Sequence, residues 1–233
     1  MANICIIPAR GGSKRIPKKN IKKFCGREII SYSIELALKS ELFDIVMVST
    51  DDEEIASVSR GYGAIVPFLR SEKNSKDTAS TFSVIHEVVE MFKSQGKEFD
   101  FICCLYPCAP FTKIKYLVSG LEKLLNENFD SLIPIVKFDY SIQRALKIDE
   151  VSRIHFREND FSKFRSQDLI NYYHDCGMFY WLRPICLQKF SILTDNSSYI
   201  EIDKFNYQDI DDFDDWEIAE FKYKFLKTKN MTL

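Results

Sequence analysis

No apolar run in these 233 residues approaches the length of about 20 that a helix needs to cross a bilayer. The segment Ile4–Ile7 follows the N-terminus almost directly, with no basic stretch leading into a long apolar one, so no secretory signal is expected. Neither sign of charge is in excess: 32 Lys and Arg face 34 Asp and Glu, a formal net charge of −2. Bulk charge therefore gives no reason to expect nucleic acid or a membrane surface as partner. The seven cysteines are an odd number and contain no C-x-x-C pair. Most lie in apolar settings, so reduced, largely buried thiols in a cytoplasmic protein are expected. Internal repeats and low-complexity linkers are also absent.

What is present is ample for one core. Hydrophobic residues make up 45%, including 19 Phe and 11 Tyr. Strand and helix signals alternate through the first 136 residues. Short apolar runs at Asn3–Ile7, Ile45–Ser49, Ala64–Val66, Phe99–Tyr106 and Ser131–Val136 read as strands. Between them, helical spacing marks Glu28–Ser40, Asp51–Arg60, Thr78–Lys93 and the stretch from Ile114 to Leu125. This alternation predicts an α/β fold, a mostly parallel sheet with helices on both faces. Ligands of such sheets bind beyond the carboxyl ends of the strands, which singles out the loops starting at Pro8, Ser49, Pro67 and Tyr106. The pattern breaks over 137–175, which reads as an excursion from a single 1–233 domain, with short strands at Arg144–Ile148 and Arg153–Phe156. A return strand at Gly177–Trp181 and a helix from Asp212 to Leu226 close the reading.

The loop after the first strand, Ile7–Asn20, reads IPARGGSKRIPKKN. Gly11 and Gly12 allow close backbone approach to a ligand and turn amides toward an anion. Arg10, Lys14, Arg15, Lys18 and Lys19 surround them with positive charge. A triphosphate suits such a loop. Neither the Walker A order nor G-x-G-x-x-G is present, which counts against a P-loop enzyme and against a dinucleotide oxidoreductase.

That loop resembles the signature of the CMP-sugar-acid synthetases, the cytidylyltransferases that activate sialic acids. VSTDDEEIA (Val48–Ala56), PFLR (Pro67–Arg70), KDTAST (Lys76–Thr81), LYPCAPF (Leu105–Phe111) and QDIDD (Gln208–Asp212) follow in the family's order. A finer resemblance, to the pseudaminic acid branch of that family, rests on SIQRALK (Ser141–Lys147), RSQDL (Arg165–Leu169) and YYHDCGMFYW (Tyr172–Trp181). Position 178 is Met where the branch pattern has a polar Gln. The resemblance implies a Rossmann-like three-layer α/β fold, a homodimer, and use of the 137–175 excursion in dimerisation.

Residue roles follow from the resemblance position by position. Arg10, Gly11, Gly12, Ser13, Lys14, Lys19 and Asn20 are expected at the nucleotide, with Arg10 and Lys14 on the phosphates as catalytic groups. Asn20 and Arg70 are expected nearer the ribose and cytosine, and Asp77 and Thr78 along the pocket wall. By itself, Asp77–Thr78 reads as a helix N-cap. Asp209 and Asp211 alternate along an extended segment and share a face. Such a pair beside a triphosphate suits Mg²⁺, and the family's D-I-D pattern matches it. Asp211 is the expected catalytic carboxylate, while Asp212, Asp214 and Asp215 read as an acidic helix start. For the sugar acid, Arg165 and Arg144 are expected at the carboxylate, Arg144 from a neighbouring subunit. Tyr106, Gln143, Gln167, His174 and Asp175 are further expected contacts.

The implied reaction joins CMP from CTP to the anomeric hydroxyl of a nine-carbon sugar acid, pseudaminic acid first, with pyrophosphate leaving. Legionaminic and N-acetylneuraminic acids are the alternative substrates. A non-catalytic nucleotide-binding module is the alternative of another class, opposed by the acidic pair and the first-loop lysines.

Overall fold

Each buried strand carries apolar side chains on both faces, and the sheet they build is covered on both sides. The computed structural model describes residues 1–229. Its strands are β1 (Asn3–Pro8), β2 (Lys23–Phe24), β3 (Arg27–Glu28), β4 (Ile45–Ser49), β5 (Phe101–Leu105), β6 (Ser131–Lys137), β7 (Leu146–Ile148), β8 (Ile154–Phe156), β9 (Tyr173–Asp175), β10 (Phe179–Leu182) and β11 (Ser197–Glu201). Its α-helices are α1 (Ile29–Ser40), α2 (Glu53–Gly61), α3 (Glu72–Ser75), α4 (Thr81–Ser94), α5 (Ile114–Glu127), α6 (Ile185–Gln188) and α7 (Phe213–Thr228).

The main sheet runs β11-β6-β10-β5-β1-β4, with β9 also on β6. β1 pairs in parallel with β4 and β5, and β11 in parallel with β6. β10 lies antiparallel between β5 and β6, and β9 is antiparallel to β6. The sheet is therefore mostly parallel, with one reversed strand in its middle. Period-two alternation along β1 sends Cys5 and Ile7 into one core and Ile4 and Ile6 into the other. The first core gathers α1, α2, α5 and α7 residues such as Ile34, Ile55, Leu117 and Trp216. The second packs α4 through Ile85, Val88 and Phe92, and α6 through Cys186.

Several expectations shift at their edges. The segment around Ala64–Val66 forms only one parallel bridge, Met47 to Ile65. Pro67 has no N–H to continue a ladder there. Asp77–Thr78 does not cap α4: Ser80 does, its Oγ accepting from the Ser83 amide at 3.1 Å. Asp52 caps α2. The acidic run at 212–215 is a reciprocal cap, Asp212 and Asp215 each accepting the other's amide. In the excursion, β7 and β8 pair as an antiparallel hairpin.

Candidate active site

The first loop leaves β1 at the carboxyl edge of the sheet and is held by side chains of neighbouring loops. The Gly11 amide donates to Asp51 Oδ1 at 2.8 Å, from the loop that follows β4. A Cβ on Gly11 would stand 2.7 Å from Asp52 Oδ2, so a side chain there would push the Asp52 carboxylate, the α2 cap, out of place. The Gly11 amide, expected at the nucleotide, is held by Asp51 in this structure. Gly12 has no heavy atom within 4 Å of its Cβ direction. Buried Asn20 donates from Nδ2 to the Arg10 carbonyl at 2.9 Å and accepts from Cys108 Sγ at 3.4 Å. Both ends of its amide fasten the loop.

A cavity of about 220 Å³ opens on this loop. Arg10, Ser13, Lys14, Lys19 and Asn20 line it from the first loop, Tyr106 and Cys108 from the loop after β5, and Asp209 and Asp211 from the segment before α7. Ile210 between the two acids is buried, so they share the opposite face as expected. Lys19 Nζ donates to the Ile210 carbonyl at 2.5 Å, and Arg15 Nη2 meets Asp211 Oδ1 at 2.7 Å. These two contacts join segments 191 and 196 residues apart. Partial desolvation and then the Asp211 carboxylate raise the Asp209 carboxyl above the ordinary range, against the pull of Lys19. Among the described residues, no group of three or more His, Cys, Asp or Glu side chains gathers as for a metal. The donors here are a pair.

Asp77 bridges two first-loop cations. Its Oδ1 lies 2.5 Å from Arg10 Nη1, and its Oδ2 contacts Lys14 Nζ. The Lys14 contact, with Arg10 behind it, holds the Asp77 carboxyl below the usual range. Thr78 is exposed beside it. Arg70 is buried: Nε donates to Ser49 Oγ at 3.2 Å and Nη2 to the Ser49 carbonyl at 2.5 Å. It pins the end of β4 and does not line the cavity.

The expected sugar-acid residues divide. Tyr106 lines the cavity, its hydroxyl 2.8 Å from Thr81 Oγ1, and burial raises it to about 12. Asp175 is occupied within the protein: Oδ1 accepts the Gly177 amide at 2.7 Å and Oδ2 the Tyr180 hydroxyl at 2.5 Å. Between β9 and β10 the chain breaks at Gly177, whose φ is +57°, and Gly177 also lines the cavity. His174 is packed between Phe138 and Tyr207, with Nδ1 2.9 Å from the Asp175 carbonyl oxygen. Gln143 is buried, and its Nε2 donates to the Ile170 carbonyl at 2.8 Å. Arg144, Arg165 and Gln167 are exposed on the excursion, and none lines the first-loop cavity. Arg144 lines separate cavities of about 690 and 530 Å³, the first with His174 and the second with Gln167. Met178, in the place of a polar residue, is buried in the core and reaches the site only through its carbonyl, which accepts the Tyr106 amide at 2.9 Å.

Asp51, Asp52 and Cys108 lie in the quoted motifs VSTDDEEIA and LYPCAPF, but sequence alone assigns them no role in the site. The two acids do fall in the loop after β4, at the carboxyl edge that the fold rule marks.

The arrangement presents cations and a carboxylate pair on one small cavity. A family model described as cytidylyltransferase matches residues 4–222. A pseudaminic acid cytidylyltransferase of Campylobacter jejuni serotype O:2 is 42% identical over 96% of this chain and 97% of its own. A CMP-N,N'-diacetyllegionaminic acid synthase of Legionella pneumophila is 39% identical over 58% of this chain and 59% of its own. In fold, the chain resembles a CMP:2-keto-3-deoxy-manno-octonic acid synthetase complexed with CTP, with TM-score 0.71 and 18% identity over 96% and 99% of the two chains. The chain belongs to the cytidylyltransferase family, as its first loop and ordered motifs imply.

Proposed function

We propose that this chain transfers CMP from CTP to the anomeric hydroxyl of pseudaminic acid and releases pyrophosphate. The observation that carries the reading is the convergence of Arg10, Lys14, Lys19, Asp209 and Asp211 on one cavity at the carboxyl edge of the sheet. The 42% identity to the Campylobacter enzyme supports the choice of acid. Arg10 and Lys14 take the triphosphate and exchange Asp77 for it, neutralising charge as pyrophosphate leaves. Lys19 and Arg15 hold the acidic segment against the loop.

Mg²⁺ is the proposed cofactor, held by Asp209 and Asp211. The donor set fits: burial and the neighbouring Asp211 carboxylate raise the Asp209 carboxyl, and Mg²⁺ favours few carboxylates completed by phosphate oxygens and water. When bound, the ion supplies charge to the triphosphate and acidifies the attacking hydroxyl.

The sugar-acid side is proposed to be completed by a second copy. Arg144 and Arg165 stand off the first-loop cavity, on an excursion whose hairpin exposes Leu146, Ile148, Val151 and Ile154. Such a patch suits a protein interface. A homodimer then presents these arginines to the neighbour's site. The seven free thiols and a nucleotide substrate support a cytoplasmic location. Incubation with CTP, Mg²⁺ and each of pseudaminic, legionaminic and N-acetylneuraminic acid, read by pyrophosphate release, tests the reading. No pyrophosphate with any acid overturns it.

A further inference from the structure

A second cavity of about 830 Å³ opens between α1, the loop before α5, and α7. It shares no lining residue with the first-loop cavity. The two are opposite sides of one loop: Pro107 and Cys108 line the first, Ala109, Pro110 and Thr112 the second. Its volume is within the range of roughly 300–1,000 Å³ that small-molecule sites occupy.

Five cations line this cavity, Arg27, Lys39, Lys113, Lys115 and Lys227, against a single carboxylate, Glu35. Glu35 is already shared by Arg27 at 2.7 Å and Lys39 at 3.1 Å. Lys113, Lys115 and Lys227 have no acidic partner at ion-pair distance among the described residues. Burial, and next the Lys115 charge, hold the half-buried Lys113 ammonium below the ordinary lysine range. Lys39, Lys115 and Lys227 are exposed at the rim, and cations lining one cavity in this way are stabilised by a ligand bearing several negative charges.

Two further features describe the rest of the ligand. Thr112 is 4% exposed and Asn206 9%, both line the cavity, and Thr112 Oγ1 and Asn206 Oδ1 have no hydrogen-bond partner. Both atoms are closed off from solvent, so they sit behind the cavity wall and a ligand meets them only after a side-chain shift. Tyr32, Leu36, Pro110 and Tyr223 add an apolar and aromatic wall. A polyanion beside a flat ring describes a nucleotide.

We propose that this cavity binds a nucleoside polyphosphate at a second site, with the phosphates on Lys113, Lys115 and Lys227 and the base on the Tyr32–Leu36 wall. The site is independent of the cytidylyl-transfer reading, since no residue of the first loop takes part in it.

The test is calorimetry of ATP and of inorganic triphosphate on the full chain carrying Lys14→Ala, which weakens the first-loop site. ATP is expected to bind at one per chain and more tightly than triphosphate. Adding Lys113→Glu and Lys115→Glu is expected to weaken ATP at least tenfold, while the same pair in the Lys14 chain leaves the KM for CTP unchanged. Lys113→Gln with Lys115→Gln, matched to the parent by thermal melting, serves if the reversals unfold. Absence of ATP binding at millimolar concentration, or affinity unmoved by the 113/115 changes, overturns the site. Equal affinity for triphosphate and ATP overturns the base assignment.

Discussion

Asp77 occupies the two first-loop cations, so a triphosphate must displace a carboxylate to reach them. Lys14→Ala and Arg10→Ala are each expected to lower CTP affinity or turnover at least tenfold, since a charge-assisted contact is worth about 1.5–3 kcal/mol. Sugar-acid affinity should move less. Calorimetry with CTP alone, beside steady-state kinetics, checks both variants, and unchanged values in the two assays would remove the loop from the site. Asp211→Ala is expected to fold and to lose turnover by about 10²–10³, the scale of deleting one transition-state electrostatic group. Its kcat and kcat/KM should fall together. Near-wild-type kcat with excess Mg²⁺ would reassign the carboxylate. At this scale the sequence shows residue types and not their partners. Gly11 reads as a ligand-facing amide, yet it serves Asp51, 40 residues away. Asp175 reads as a contact to substrate, and the structure adds that Gly177 and Tyr180 each donate to one of its oxygens.

Among the elements, a polar knot around Asp130 fastens the turn that follows the reversed strand β10. The Asp130 carboxylate accepts from Lys189 Nζ at 2.7 Å, Thr194 Oγ1 at 2.9 Å and Asn196 Nδ2 at 3.2 Å. Its carbonyl accepts the Arg183 amide at 2.8 Å. The knot ties the start of β6 to the turn after β10 and to the approach to β11. Lys189, followed by Thr194 and Asn196, holds the Asp130 carboxyl below the ordinary Asp range, outweighing its burial. A lowered folded-state pKa contributes stability that is present above the unfolded pKa and is lost as pH falls toward the folded one. Asp130→Asn is expected to cost about 1.5–3 kcal/mol at neutral pH, the worth of hydrogen bonds to a charged group. That deficit should shrink below about pH 4, near the unfolded Asp pKa. Urea melts of both chains across pH 3–7 check this; a deficit constant with pH would mean that packing, and not the charge, carries the effect. Helices with strong periodicity, such as α1 and α5, were legible to within a residue or two. β9 and β11 were not, because Tyr173–Asp175 and Ser197–Glu201 are short and mixed in polarity and become strands only by pairing with β6.

For the whole molecule, the issue is whether one copy suffices. The β7–β8 hairpin exposes Ile148 by 73% and Ile154 by 65%, apolar surface with no intrachain cover. Ile148→Lys with Ile154→Lys is expected to convert the proposed dimer to a monomer by light scattering. Because Arg144 and Arg165 lie on the same excursion, kcat/KM for the sugar acid should fall at least about tenfold, the effect of losing a charged contact, with CTP affinity kept. A monomeric wild-type chain would defeat the shared-site arrangement. Competing kcat/KM values on pseudaminic, legionaminic and N-acetylneuraminic acid address selectivity. Preference for pseudaminate is expected, and preference for legionaminate would move the chain to the sister activity while leaving the nucleotide site in place.

Local pattern sufficed for the layered α/β class, the five longer helices α1, α2, α4, α5 and α7, the basic loop at the carboxyl edge and the two acids sharing a face. These are properties of neighbours along the chain: apolar period sets the element, and alternation sets the face. Tertiary structure decided that β10 runs backwards between β5 and β6. It alone brought Lys19 to Ile210, Arg15 to Asp211 and Asp77 to Lys14. Such contacts form between segments far apart in sequence, where no local period records the distance or the charge that closes it.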